Sequence, residues 1–476
     1  MIYDVAIIGA GVVGTSIARE LSRYKLAIAL LEKEEELSFG VSKSNSGIIH
    51  PGTQNPPNSL KGKLCVQGNI HMRNVARELG VDFKQVGELI VCFSQEEISG
   101  LLQLKKEAEM LRVPGLKIVD RKWLSINEPN LNSAAVAALY APTAGIISPY
   151  RLVYDLSENA LNNGVEIFTH AKVQSIHVLP ERFEIVTSRG MFKSGYLINA
   201  AGLYADDIAR MAGAGDFTIK PRKGEEFILD KKKEHLANHL LFPLPSRNSK
   251  GVLVIKTADG NPMIGPTAQD IEDKEDLSTS DEGLRKVLAS AQRLIPSISE
   301  GDIIAYFAGL RPVAGDDFII RAEDRVPGFV NVAGIQSPGL TSAPAIALMV
   351  CDILRKNGLV LKKKFLFRAH RAKTIHLFGI PFSRTRRLIA KDHSYGDIVC
   401  RCEMVSAKEV RDAIHRGAAT LDGIKFRTRA QSGRCHGSFC TTRLLKILAG
   451  ETQAPVTSIT KRGKGSELIK GDRESA

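Results

Sequence analysis

The chain has 476 residues, 43% of them hydrophobic and 25% charged, the balance of a folded globular protein. At about 150 residues per domain that length suggests two to four domains, and the composition excludes global disorder, collagen and a small disulfide scaffold. The net charge of +13 is local, because twelve Lys/Arg and no Asp/Glu fall between Arg355 and Lys391 and the remainder holds 53 basic against 52 acidic residues. No run approaches the roughly 18 apolar residues of a membrane helix. The opening DVAIIGAGVVG lacks the regions of a signal peptide. The expected location is cytoplasmic, extending to the inner membrane face as a peripheral protein. Seven cysteines in a reducing compartment read as ligands or core residues rather than disulfides.

In chain order, Val5–Ile8 reads as a buried strand, Thr15–Ser22 as a helix and Ala27–Leu31 as a second strand ending at Glu32, a βαβ opening. Residues 38–60, rich in Ser, Asn, Gly and Pro, form a long loop of the kind that carries function. A helical pattern at Leu152–Asn162 and strands at Val165–Thr169 and Gly195–Asn199 follow. Phe227–Leu229 and Gly251–Ile255 suggest a second, more antiparallel domain. Gly328–Val332 returns to a buried strand and Ala343–Leu354 to an apolar helix. The fold class is therefore α/β, with division expected at 1–355, a basic segment 356–396, a small cysteine-bearing unit 397–450 and a polar tail 451–476. The basic segment is interleaved with Phe365, Phe367, Ile375, Leu377, Phe378, Ile380 and Phe382. That mixture suits a docking face for a protein partner or an anionic membrane better than nucleic acid, or else a solvated linker tracking over its own domain.

Gly9, Gly11 and Gly14 form G-x-G-x-x-G between strand and helix. The glycines provide a tight turn, close backbone approach to a pyrophosphate and close helix packing, and the helix N-terminus favours phosphate. Glu32 closes the second strand, where a carboxylate accepts from ribose hydroxyls and repels a 2′-phosphate.

The turn Leu197-Ile198-Asn199-Ala200-Ala201-Gly202 and the loop Asn45-Ser46-Gly47-Ile48-Ile49-His50 carry a resemblance, with Ser59-Leu60-Lys61, Gly309-Leu310-Arg311-Pro312 and Ser337-Pro338-Gly339-Leu340-Thr341. Together they resemble the D-amino-acid-oxidase superfamily of flavoproteins, and within it the L-2-hydroxyglutarate dehydrogenases and anaerobic glycerol-3-phosphate dehydrogenases, over roughly 1–355. The resemblance implies a Rossmann-like FAD-binding domain interleaved with an antiparallel substrate domain. It assigns Ser46, Gly47, Val173, Ala201, Gly202, Gly309, Gly339, Leu340 and Thr341 to FAD. Backbone N–H groups opening the helix after Gly339 suit the negative charge that builds on a reduced flavin. No second nucleotide fingerprint is present, which argues against NAD as the direct acceptor.

Cys400 and Cys402 form C-x-C, and Cys435 and Cys440 form C-x4-C. Four thiolates suit a [2Fe–2S] cluster or zinc, but C-x-C fits ordinary zinc sites poorly. The surrounding Cys400-Arg401-Cys402-Glu403, Thr428-Arg429-Ala430 and Gly433-Arg434-Cys435 resemble the bacterioferritin-associated-ferredoxin-type [2Fe–2S] domain, which is similarly appended to anaerobic glycerol-3-phosphate dehydrogenases. Arg401, Arg427, Arg429 and Arg434 would offset cluster charge. Cys65, Cys92 and Cys351 read as core residues.

A flavin takes hydride from a carbon bearing OH or NH, and the protein must orient that carbon and remove the heteroatom proton. His50 is the candidate base, the alternative being a histidine merely packed beside the flavin. Arg311 suits a grip on carboxylate or phosphate, the alternative being a salt bridge to Asp316 or Asp317. Lys256 is a further anion-binding candidate; Lys61 and Lys63 read as loop or surface charges. The expected activity is oxidation of glycerol 3-phosphate, with electrons leaving through the cluster to a partner subunit or quinone-linked acceptor. L-2-hydroxyglutarate oxidation, imino-acid oxidation and a pure electron-transfer subunit are the alternatives.

Overall fold

The computed structural model describes residues 1–245 and 251–470. The chain divides into two compact units: one of residues 1–31, 38–168 and 173–371, the other of residues 372 onward with the short stretches 32–37 and 169–172.

In the first unit, Tyr3–Ile8 lies inside a sheet of eight strands among the described residues. It pairs in parallel with Ile28–Leu31 and with Gly190–Asn199. Val165–Phe168 and Phe329–Ala333 extend the parallel part. Ile28–Leu31 and Phe329–Ala333 are buried at every position, as strands covered on both faces require. Val12–Leu21 is the first crossover helix. It starts earlier than the expected Thr15 because Gly11 enters it in an extended conformation.

Among the described residues the second sheet has nine strands and rests on the long antiparallel pair Lys220–Leu229 and Ile303–Val313. Apolar pattern alone marks only Phe227–Leu229. The strand runs back to Lys220 because its charges find partners, Arg222 with Asp270 at 2.5 Å and Lys223 with Asp276 at 2.8 Å. The sheet buries a separate cluster on each face. Phe227, Val254 and Ile264 pack with Val287, Ala291 and Leu294 of the helix Asp281–Leu294. Phe242, Ile255 and Met263 pack with Ile48 and Ile146, so this second face meets the 38–60 loop.

That loop ends in the helix Leu60–Leu79, capped by the Ser59 hydroxyl and closed by Gly80 in the left-handed region. It lies so close to the helix Gly339–Lys356 that a Cβ on Gly68 would sit 2.1 Å from the Thr341 carbonyl oxygen. The first part of the basic segment is held down: Arg371 is buried against Asp155 at 3.0 Å and Glu158 at 2.6 Å, and the Arg23 guanidinium lies 4.3 Å over the Phe367 ring. Phe365 and Leu366, in contrast, are 98% and 79% exposed. Phe382–Lys391 forms a helix with no buried residue.

The second unit packs Ala407–His415, Leu421–Thr428 and Thr441–Thr452 around Val410, Leu421, Ile424, Leu444 and Leu448. Ile459, from the expected polar tail, joins this core; residues 471–476 of that tail lie outside the described residues. Glu36 and Arg427 form a buried pair at 2.7 Å, and Glu36 also accepts from the Ala419 N–H at 2.8 Å. Among the described residues, no helix is long and apolar enough to cross a membrane.

Candidate active site and cysteine cluster

The glycine-rich turn is built for a backbone ligand. Gly9 has φ +103°, and a Cβ there would lie 2.4 Å from the Ala200 carbonyl oxygen. A Cβ on Gly14 would lie 1.9 Å from the Gly9 oxygen. The Val12 N–H at the helix start donates to the Ser42 hydroxyl at 2.9 Å, tying the loop to the turn. Ala200 N–H bonds Ile8, which brings the Ala201–Gly202 turn beside Gly9, and Gly202 has φ +58°. Val173 opens its strand, buried. Glu32 follows the second strand directly and accepts from the Glu34 N–H at 3.0 Å through Oε1.

The loop 44–50 is threaded between the second sheet and the Gly339 helix. A Cβ on Gly309 would lie 2.4 Å from the Ser44 carbonyl oxygen, and one on Gly47, at φ +68°, equally close to that of Ile147. Thr341 accepts from the His50 N–H at 2.9 Å and donates to the Ile48 carbonyl at 3.3 Å. The His50 carbonyl accepts from Asn69 Nδ2 at 3.0 Å. His50 is thus fixed by its own backbone, with its ring edge-on to Phe242 at 6.1 Å. Its Nδ1 lies 3.8 Å from Glu88 Oε2. Glu88 is fully buried and its Oε1 accepts from the Thr53 hydroxyl at 2.5 Å.

On the same side of the second sheet, Arg311 stands beside Gly224, whose Cβ would come within 2.8 Å of the guanidinium. Among the described residues, its guanidinium makes one hydrogen bond, Nη1 to the Thr267 carbonyl at 3.4 Å. Burial lowers its pKa, with Glu226 opposing that shift. The alternative salt bridges do not form: Asp317 accepts from the Leu60 and Lys61 N–H groups at 2.6 and 2.9 Å, and the Asp316 carbonyl accepts from Lys61 Nζ at 2.5 Å. Glu226 is buried, and Ser46 donates to its Oε1 at 3.1 Å. Burial pushes its carboxyl up to about 7, against the opposing charge of Arg311 and the Ser46 hydrogen bond. Lys256 ends the strand Leu253–Lys256 in register with Pro262, and alternation puts it on the face of Val254 rather than that of Ile255.

Sequence reasoning did not single out Glu88 or Glu226. The signals were present: Glu88 opens the otherwise apolar ELIVC, and Glu226 precedes FIL.

In the second unit, Cys402 and Cys435 Sγ lie 3.7 Å apart. The interaction of Cys400 with Cys440 pulls the Cys400 thiol down and pushes that of Cys440 up. Backbone N–H groups of Gln431 and Glu403 serve Cys400, and those of Gly437 and Phe439 serve Cys435. Tetrahedral ligation at metal–sulfur distances of about 2.3 Å puts two sulfurs about 3.8 Å apart, so the Cys402–Cys435 pair fits one metal atom. Among the described residues, no three His, Cys, Asp or Glu side chains close on a single point. Two thiol pairs suit a binuclear cluster better than one zinc ion. Gly433 leaves room for Cys402, because its Cβ would lie 2.3 Å from that of Cys402. Arg427 and Arg429 are engaged by Glu36 and by Glu403 at 3.1 Å; Arg401 and Arg434 lie on the exposed rim.

Residues 4–353 match the family model of the FAD dependent oxidoreductases. The chain belongs to that family. Residues 398–450 match the BFD-like [2Fe–2S] binding domain, so the cofactors are FAD and a [2Fe–2S] cluster. A glycerol 3-phosphate dehydrogenase of Caloramator mitchellensis is 42% identical over 99% of both chains. The FAD-bound L-alpha-glycerophosphate oxidase of Mycoplasma pneumoniae superposes with a TM-score of 0.75 at 31% identity, over 78% of this chain and 98% of its own. The mitochondrial L-2-hydroxyglutarate dehydrogenase of Homo sapiens is 29% identical over 74% of this chain and 88% of its own. Cysteines 65, 92 and 351, outside the cluster, are buried.

Proposed function

We propose that this chain oxidises glycerol 3-phosphate to dihydroxyacetone phosphate and passes the electrons through the cluster to a partner. The observation that carries the reading is Arg311, a guanidinium beside the 44–50 loop that makes a single hydrogen bond among the described residues and can offer its other donors to a phosphate. The relative named for this activity matches along the whole length, cysteine unit included, whereas the hydroxyglutarate relative matches three quarters of the chain.

In this reading Arg311 holds the phosphate and places the C2 hydroxyl towards His50. His50 accepts the hydroxyl proton, and Glu88 behind it favours the imidazolium that results. FAD supplies the hydride acceptor. Gly9, Gly11 and Gly14 hold its pyrophosphate, Glu32 its ribose, and Ser46, Gly47, Val173, Ala201, Gly202, Gly309, Gly339, Leu340 and Thr341 line the rest of its site. Cys400, Cys402, Cys435 and Cys440 hold the cluster. Lys256 is a secondary contributor to the positive field of the substrate domain.

The acceptor subunit docks on the basic segment, where exposed Phe365 and Leu366 follow Lys362 and Lys363. The same patch accommodates peripheral attachment to an anionic membrane. Oxygen-free protein should lose its flavin absorbance on addition of glycerol 3-phosphate and keep it with L-2-hydroxyglutarate or L-proline. Bleaching by either of the latter alone would overturn the substrate assignment and leave the two-cofactor architecture standing.

A further inference from the structure

Glu226 has an environment that phosphate binding at Arg311 would change. It sits on the long strand Lys220–Leu229, in register with Phe307 of the facing strand. Its Oε1 accepts from Ser46, while among the described residues Oε2, equally buried, has no hydrogen-bond partner. The charged groups around it are few. Arg311 lies on the same face of the neighbouring strand, its guanidinium beside Gly224, and its charge opposes the effect of burial on the Glu226 carboxylate, while Arg222 is held by Asp270 through two hydrogen bonds. The strand Pro262–Gly265 presents Gly265, whose Cβ would lie 2.8 Å from Glu226 Cγ. Glu225 points to the opposite face, bonded to Ser280 and Thr267, and Lys223 is taken by Asp276. Arg311 is therefore the main positive charge available to a buried Glu226 carboxylate.

An anion that engages Arg311 competes for that charge and places a second negative group beside the carboxylate. Like charges in one buried site cannot both remain ionised cheaply. We propose that Glu226 is a specificity-determining residue that takes up one proton when a phosphate dianion binds Arg311, and then donates a hydrogen bond from Oε2 to the bound anion. The balance is one solvent proton added to one carboxylate per ligand, with no electrons moved. The proposal deepens the reading of Arg311 as the phosphate anchor and rests on it.

The resting carboxyl titrates near 7, so the linkage has a definite sign. Below pH 6 Glu226 is already neutral and binding takes up no proton there. Above 7 the proton must come from solvent, and affinity falls as pH rises, by about fivefold between pH 7 and 8 for one such group.

The test uses the oxidised holoenzyme and 3-hydroxypropyl phosphate, which lacks the C2 hydroxyl and so cannot be oxidised there. Calorimetric titration at pH 8, in buffers of different ionisation enthalpy, counts protons where the phosphate is already a dianion. The expected result is close to one proton taken up by the native chain. Glu226→Gln should take up about one fewer, bind about tenfold more tightly than the native chain at pH 8, and match it at pH 6. Any proton that Glu226→Gln still takes up belongs to another group, His50 included. Equal proton counts and parallel pH dependence for the two proteins would overturn the proposal. Arg311→Met separates the two readings. If it binds the analogue as tightly as the native chain, the anchor itself is wrong. If it loses binding while the native chain takes up no proton, only the role of Glu226 fails. The native proton count is informative even if a variant fails to fold.

Discussion

Replacing Glu88 by Gln removes a charge 3.8 Å from the His50 ring nitrogen while keeping the volume of a fully buried side chain. Two unit charges at that distance attract by about 4 kcal/mol at an effective dielectric of about 20. The attraction exists only when His50 carries the proton, so it lowers the barrier to proton removal and adds nothing to the resting state. At about 1.4 kcal/mol per power of ten, the rate of flavin reduction should fall by up to about 10³-fold. Glu88 does not reach the anion anchor, so KM for glycerol 3-phosphate should change little. Anaerobic stopped-flow bleaching of the flavin across substrate concentrations measures both effects. A variant that reduces its flavin within threefold of the native rate would refute the claim that Glu88 assists His50.

Gly9→Ala imposes about 1–2 kcal/mol of left-handed strain and a contact of 2.4 Å with the Ala200 carbonyl; the purified protein should carry less than a tenth of the native FAD per chain, read by absorbance after denaturation. Arg427→Ala leaves Glu36 buried without its charge partner, at a cost of about 3–5 kcal/mol. Hydrogen exchange across 397–450 should accelerate accordingly, and Glu36→Gln combined with Arg427→Met should restore most of the protection. Cys402→Ser should remove the iron, the acid-labile sulfide and the cluster absorbance, while substrate still bleaches the flavin. Retention of both metal and sulfide would remove Cys402 from the ligand set.

Part of the first unit is legible because strands such as Ile28–Leu31 are buried at every position and read as unbroken apolar runs. Val165–Thr169 was expected and Val165–Phe168 is found; Leu152–Asn162 corresponds to Pro149–Leu161. Apolar pattern marks the long strand Lys220–Leu229 only from Phe227 because its first half is charged. Those charges are neutralised by Asp270 and Asp276, some 50 residues away, and no local pattern reports a partner at that range. The basic segment shows the same limit. Its composition allows a docking face or a linker tracking over its own domain, and it does not say which residues do which: Arg371 is buried in a pair with Asp155 and Glu158, while Phe365 is left in solvent.

The site divides along the same line. Glycines whose role is local conformation could be read directly, since the tight turn at Gly9 follows from G-x-G-x-x-G and φ +103° is what the turn adopts. Carboxylates whose role depends on a distant partner could not. Glu88 matters through His50, 38 positions earlier, and Glu226 through Ser46 and Arg311, 180 positions before and 85 after it. A buried acid in an apolar strand has few stable outcomes: a paired charge, a hydrogen-bonded neutral group, or a carboxyl whose charge changes during function. ELIVC and GEEFIL therefore each carried a signal that something must face the acid, without saying what. Fold brings His50 to one and the Arg311 guanidinium to the other. In the proposed mechanism the two acids act on different protons, one by stabilising a charge that forms during oxidation and the other by yielding its own charge when substrate arrives.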